Sequence, residues 1–196
     1  MKIKILQQAA AIIRGGGIVA LPTETYYGLA VDPFNEAALA RLFALKQRPA
    51  AKPLLTLIPK LSDLDRLVTH VPAPLQPLLA LWPAPLTLVC PALPSLSTLL
   101  TGGTGTVGVR LSPHPVVGQF LDLLGQPVTA TSANISGQPP ACTAAQVAEQ
   151  FGDKLDLIVD GGATPGGLGS TVVGCRADEI IIIRAGVLPA SALSGS

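Results

Sequence analysis

Charge is scarce in this chain. Asp, Glu, Lys and Arg make up 13% of its 196 residues, and the net charge is +1. Such a balance excludes a disordered charged tail. Aromatic residues are scarcer still, at 4%. The core must therefore be built of Leu, Val, Ile and Ala, and the near absence of exposed-looking aromatics on which RNA readers stack bases counts against an RNA-binding module. Only three cysteines occur, Cys90, Cys142 and Cys175, with no C-x-x-C. An odd, scattered set argues against a secreted disulfide framework and suits a reducing cytoplasm. No apolar run approaches the roughly 18 residues of a membrane span. The N-terminus, MKIKILQQ, turns polar at once, unlike a signal peptide. His70 and His114 are isolated, lack metal-ligand spacing and read as surface residues, so no metal site is expected.

What is abundant is apolar: 48% of the chain, enough for a sizeable core. The length fits one domain, and the 19 prolines and 20 glycines are spread out as turns rather than gathered in a linker. Charge is unevenly placed. Residues 37–121 carry seven Lys or Arg against two Asp, a net of +5; residues 122–196 carry three against seven acids, a net of −4. The middle of the chain is thus the candidate anion-binding region.

Helical periodicity runs through Ile5, Leu6, Ala9, Ile12 and Ile13 and stops at Gly15 to Gly17. Asn35 can cap a second helix carrying Leu39, Leu42, Phe43 and Lys46, which Pro49 ends near Gln47. Short helices are predicted at 62–68 and 75–81, one at 116–124 closed by Gly125, and one after Thr143, which has capping-box spacing to Gln146. Strands are predicted at 18–21, 54–58, 86–89, 107–111, 128–130, 157–160, 171–173 and 180–183. The expected fold is one α/β domain, a mixed sheet with helices on both faces, over residues 1–189. Residues 190–196 are small and polar and read as a flexible tail.

Several segments can carry chemistry. After the strand ending at Leu21, Pro22-Thr23-Glu24-Thr25 gathers hydroxyls where α/β sheets hold ligands; the plainer alternative is a polar turn. Lys46, Arg48 and Lys52 cluster around Pro49 and Pro53, which would stiffen the segment and aim cations at phosphate oxygens; the alternative is a solvated helix end. Arg110 ends an apolar strand and could clamp a carboxylate or simply face solvent. The run 129–137, TATSANISG, packs uncharged donors into one turn. The run 166–171, GGLGST, is glycine-rich but lacks the P-loop lysine and is not followed by an evident helix, so it is not a P-loop. Trp82 in WPAPLT reads as a packing anchor.

Taken in order, GGGIVALPTETYYGLAVD, ALKQRPAAKPL, WPAPLTLV, VGVRL, VTATSANISGQPP, GSTVV and IIIIRAG resemble the YrdC/TsaC family of threonylcarbamoyl-AMP synthases over most of residues 15–186. The resemblance implies a three-layer YrdC-like fold, an open twisted mixed sheet with a concave cationic face, in the short single-domain bacterial form. It implies the reaction of L-threonine, bicarbonate and ATP to threonylcarbamoyl-adenylate and pyrophosphate, serving modification of adenosine 37 in tRNAs that read codons starting with A. By the same resemblance, Thr23, Arg110 and Ser170 would bind threonine. Lys46 and Arg48 would be catalytic and, with Lys52, Thr87, Ser132, Asn134 and Arg184, bind ATP. Mg2+ would arrive with ATP without a protein cage, weak contact with tRNA is allowed, and a downstream threonylcarbamoyl-transferase would take the product. Three departures stand out. Tyr26 replaces the valine of many relatives and is expected to be harmless, Leu57 stands near a histidine of some longer ones, and Gly174 replaces an aspartate common after STVV. The competing readings are a carbamoyl-adenylate-forming domain, which would come in a longer, zinc-binding chain, and a non-catalytic RNA-binding module.

Overall fold

In the computed structural model, which describes residues 3–193, helix α1 (Ile3–Arg14) buries Leu6, Ala9, Ala10 and Ile13 on one stripe and ends at the glycines. Gly16 there adopts φ +80°, a left-handed turn open to glycine. Strands β1 (Val19–Pro22) and β2 (Tyr27–Ala30) form an antiparallel hairpin with Pro22 opposite Tyr27. Strand β2 was not expected from the sequence, because its Tyr-Gly-Leu-Ala carries little strand signal. Helix α2 (Glu36–Lys46) is capped by Asn35, whose side chain accepts from the Ala38 amide at 3.0 Å, and stops at left-handed Gln47. Then come β3 (Leu55–Leu57), β4 (Leu86–Pro91), the single turn α3 (Thr98–Thr101), β5 (Thr106–Arg110), α4 (Pro115–Leu124), β6 (Val128–Ser132), α5 (Ala144–Phe151), β7 (Leu157–Ile158), β8 (Thr171–Arg176) and β9 (Glu179–Arg184). The short helices expected near 62–68 and 75–81 are 3-10 segments, Leu61–Arg66 and Ala73–Leu81. In the second, Pro77 brings no amide hydrogen, so the α-helical ladder cannot run through it.

Among the described residues nine strands form one mixed sheet in the order β7-β1-β2-β6-β3-β5-β4-β8-β9. Pairs β1–β7, β3–β5 and β4–β8 are parallel and the rest antiparallel. Alternation along the strands sends side chains to two cores. Ile18, Ala20 and Leu29 meet α2 and α5 on one face; Val19, Leu21, Ala30, Leu57 and Val128 meet α1 and α4 on the other. The predicted α/β class, with helices on both faces, is what forms. Helices α1 and α4 cover only part of their face, and the uncovered part carries the site.

Ala190–Leu193, expected to be loose, forms a 3-10 turn that buries Leu193 in the core; residues 194–196 lie outside the described residues. Trp82 is an anchor as expected, buried with its Nε1–H donating to the Leu86 carbonyl at 2.8 Å. All three cysteines are free thiols. Burial, reinforced by nearby Cys175, pushes the Cys90 thiol up to about 12.

Candidate active site

Residues two apart share a strand face, so Gly28, Ser132 and Leu55 lie on the same side as Ala30, Ala130 and Leu57, beyond the reach of α1 and α4. There a cavity of about 530 Å³ opens, within the roughly 300–1,000 Å³ of small-molecule sites. Small residues at its floor, Gly28 and Ala130, leave the room. Its walls come from four places: the β1–β2 turn with Thr23, Thr25 and Tyr26; the segment after α2 with Arg48 and Pro53; the end of β6 with Ser132; and the glycine loop with Ser170, backed by Arg184 of β9. Arg110 enters from the end of β5.

Six of the residues predicted from the sequence therefore line one cavity: Thr23, Arg48, Arg110, Ser132, Ser170 and Arg184. Thr23 closes the hairpin turn, its hydroxyl donating to the Tyr26 carbonyl at 2.7 Å and lying 3.2 Å from that of Thr25. Arg48 is braced by its own segment, Nε donating to the Lys52 carbonyl at 3.2 Å and Nη2 to that of Pro53 at 2.8 Å. Arg184 donates to the Ser170 carbonyl at 2.8 Å and to Ser170 Oγ at 3.1 Å. Burial holds both arginines below the ordinary arginine range.

Arg110 is the most confined of these cations, 5% exposed at the end of an apolar strand. Its Nε lies 3.2 Å from Glu24 Oε1, too poorly aligned for a hydrogen bond, so that contact is electrostatic. Glu24 Oε2 accepts from Ser112 Oγ at 2.5 Å. Burial, with some help from Arg184, lowers its pKa, while Glu24 opposes the shift. Glu24 was missed as a site component: the pairing joins residues far apart in sequence, and no local pattern announces it. His114, expected at the surface, is half-buried, its Nδ1 enclosed and unpaired. Burial lowers its pKa, against the pull of Glu24.

Four predicted residues stand off the cavity. Lys46 is 1% exposed, and its ammonium donates to the Ser132 carbonyl and, at 2.7 Å, to that of Asn134. It braces the 132–134 turn from behind, and burial, with repulsion from Arg48, pulls its pKa down to about 7. Asn134 is committed to that same turn: Oδ1 accepts from Ser132 Oγ at 2.5 Å and Nδ2 donates to the Ile135 and Gln138 carbonyls. Thr87 is buried behind Ser170, their hydroxyls 2.9 Å apart. Lys52 is exposed outside the cavity. The periodicity did signal the position of Lys46, which follows Leu39, Leu42 and Phe43 on the buried stripe of α2.

An open α/β sheet with arginines and neutral hydroxyls converging on a cavity is an arrangement suited to a small anionic ligand. Residues 11–186 match the Sua5_yciO_yrdC family model, described as "Telomere recombination", and the chain belongs to that family. A threonylcarbamoyl-AMP synthase of Pyrococcus abyssi is 41% identical over 182 residues, 92% of this chain and 54% of that protein. One from Vibrio vulnificus is 38% identical over 159 residues, 80% of this chain and 86% of its own length. The solved structure of P. abyssi Sua5 complexed with L-threonine superposes with a TM-score of 0.94 at 38% identity, covering 99% of this chain and 57% of that one. The chain thus spans about half the length of its Pyrococcus relative.

Proposed function

We propose that this chain is a threonylcarbamoyl-AMP synthase, converting L-threonine, bicarbonate and ATP to threonylcarbamoyl-adenylate and pyrophosphate. The observation that carries the reading is Arg110, a buried arginine paired with Glu24 that lines the same cavity as Arg48 and Arg184. The relatives named for this activity, and the Pyrococcus protein complexed with L-threonine, support it.

In this reading Arg110 pairs with the amino-acid carboxylate, with Thr23 and Ser170 beside it. Arg48 and Ser132 take phosphate oxygens, and Arg184 fixes the Ser170 wall and touches the nucleotide. Lys46, Asn134 and Thr87 hold those walls from behind. The threonine amine adds to bicarbonate with loss of water, giving a carbamate. A carbamate oxygen then attacks the α-phosphorus, and the bond to pyrophosphate breaks. No side chain becomes covalently attached; the barrier falls through alignment and through fixed positive charge facing the developing negative charge. Mg2+ enters as MgATP. In this reading the phosphates carry the ion, while Glu24 is engaged by Arg110 and Ser112.

Among the described residues no helix is long and apolar enough to cross a membrane. We place the reaction in the cytoplasm, with the adenylate passed to a threonylcarbamoyl-transferase that modifies adenosine 37 of tRNA, which touches this chain weakly if at all. The test is mass spectrometry of the products formed from ATP, Mg2+, threonine and labelled bicarbonate. A labelled threonylcarbamoyl-adenylate with stoichiometric pyrophosphate is expected. Pyrophosphate release that ignores threonine or bicarbonate, or salt-sensitive RNA binding without turnover, would overturn the assignment.

A further inference from the structure

The glycine loop that walls one side of the cavity is tied to the β1–β2 turn by two hydrogen bonds. The Gly166 amide donates to the Thr25 carbonyl at 2.7 Å, and Tyr26 Oη donates to the Gly167 carbonyl at 2.5 Å. Gly166 and Gly167 sit at φ +68° and +77°, consecutive left-handed residues that turn the chain toward Tyr26. A side chain at Gly166 would also strike Cys142 Sγ, which a Cβ would approach to 2.8 Å, so the loop is seated closely. Beyond the tie, Gly167, Leu168, Gly169 and Ser170 line the cavity, and so does Tyr26. The Tyr26 carbonyl accepts from both the amide and the hydroxyl of Thr23. One residue thereby links Thr23 and the Ser170 loop, the two hydroxyl-bearing walls beside Arg110.

We propose that Tyr26 is a positioning residue for the amino-acid end of the site, strapping residues 166–169 across the cavity so that Ser170 meets the substrate from a fixed wall. This rests on the synthase reading above, and a valine at 26 could not make this bond. Arg48 and Ser132 belong to other walls and make no bond to the strap. Losing the phenol hydroxyl should therefore loosen recognition of the amino acid more than that of ATP, which the loop reaches only through the Arg184 bonds to Ser170.

The experiment compares wild type with Tyr26→Phe, which removes one oxygen from a half-buried ring. Two measurements are made on each full-length protein: KM for threonine and for ATP in adenylate formation, and amide hydrogen exchange across residues 166–170 without substrates. The strap predicts a KM for threonine raised roughly 2- to 10-fold, the scale of one hydrogen bond, a smaller rise in the KM for ATP, and faster exchange confined to the loop. Unchanged exchange and unchanged KM for threonine would overturn it, as would equal rises in both KM values, the mark of general loosening. If wild type makes no adenylate, the synthase reading fails, while the exchange comparison still decides whether Tyr26 holds the loop.

Discussion

At the residue scale, Arg110 and Lys46 show how differently two buried cations can be used. Arg110 sits 3.2 Å from a carboxylate and also lines the cavity, so its charge is offset in place and still within reach of a ligand. Replacing Glu24 by Gln keeps the shape and removes the counter-charge. The expected cost is about 3 kcal/mol, the lower end for a broken buried pair, read by urea denaturation; a loss under about 0.5 kcal/mol would mean the pair is effectively solvated. Lys46 has spent its ammonium on two carbonyls. Folded, it titrates near about 7, whereas unfolded it titrates near its ordinary 10.5. Between those values the unfolded chain holds a proton that the folded chain has shed, so stability must rise with pH across that window. The gap in stability between wild type and Lys46→Met should therefore move in favour of wild type from pH 6 to pH 9, in paired denaturation curves. Arg48 is braced only by its own loop. Arg48→Ala should raise the KM for ATP roughly 10- to 100-fold, the scale of a charged hydrogen bond, and change stability by less than about 0.5 kcal/mol.

At the scale of elements, helix α2 links sequence to site most directly. Asn35 starts it, Gln47 and Pro49 stop it, and the stop aims Arg48 into the cavity. Asn35→Ala should cost about 1 kcal/mol in denaturant unfolding, and a neutral result would remove the cap from this account. This helix was legible because caps and periodicity are local signals. Strand β2 was not, because Gly28, which leaves room at the cavity floor, and Ala30 carry little strand propensity. The short helices between prolines were legible too, and they form as 3-10 segments, Pro77 supplying no amide to an α-helical ladder in the second. The site residues were grouped by resemblance and by hydroxyl and cation clustering. What stayed hidden was which of them face the cavity and which stand behind it, since Lys46 behind Ser132 and Thr87 behind Ser170 depend on pairings between distant segments.

At the scale of the whole molecule, the sheet does two jobs with one face. Its β7–β1–β2 end is sealed by α1 and α4, and its middle is left open as the floor of a cavity. The uneven charge along the chain only partly maps onto space. Arg48 and Arg110 come from the basic stretch, but Arg184 comes from the acidic one and reaches the cavity because β8 and β9 extend the sheet to that side. The cations therefore approach from separate walls, an arrangement suited to a ligand pair with phosphates at one end and a carboxylate at the other. The direct measurement is a crystal structure with threonine and a non-hydrolysable ATP analogue. It should place the threonine carboxylate within hydrogen-bond distance of the Arg110 terminal nitrogens and the phosphates against Arg48. A threonine bound away from Arg110, or a triphosphate outside this cavity, would contradict the account.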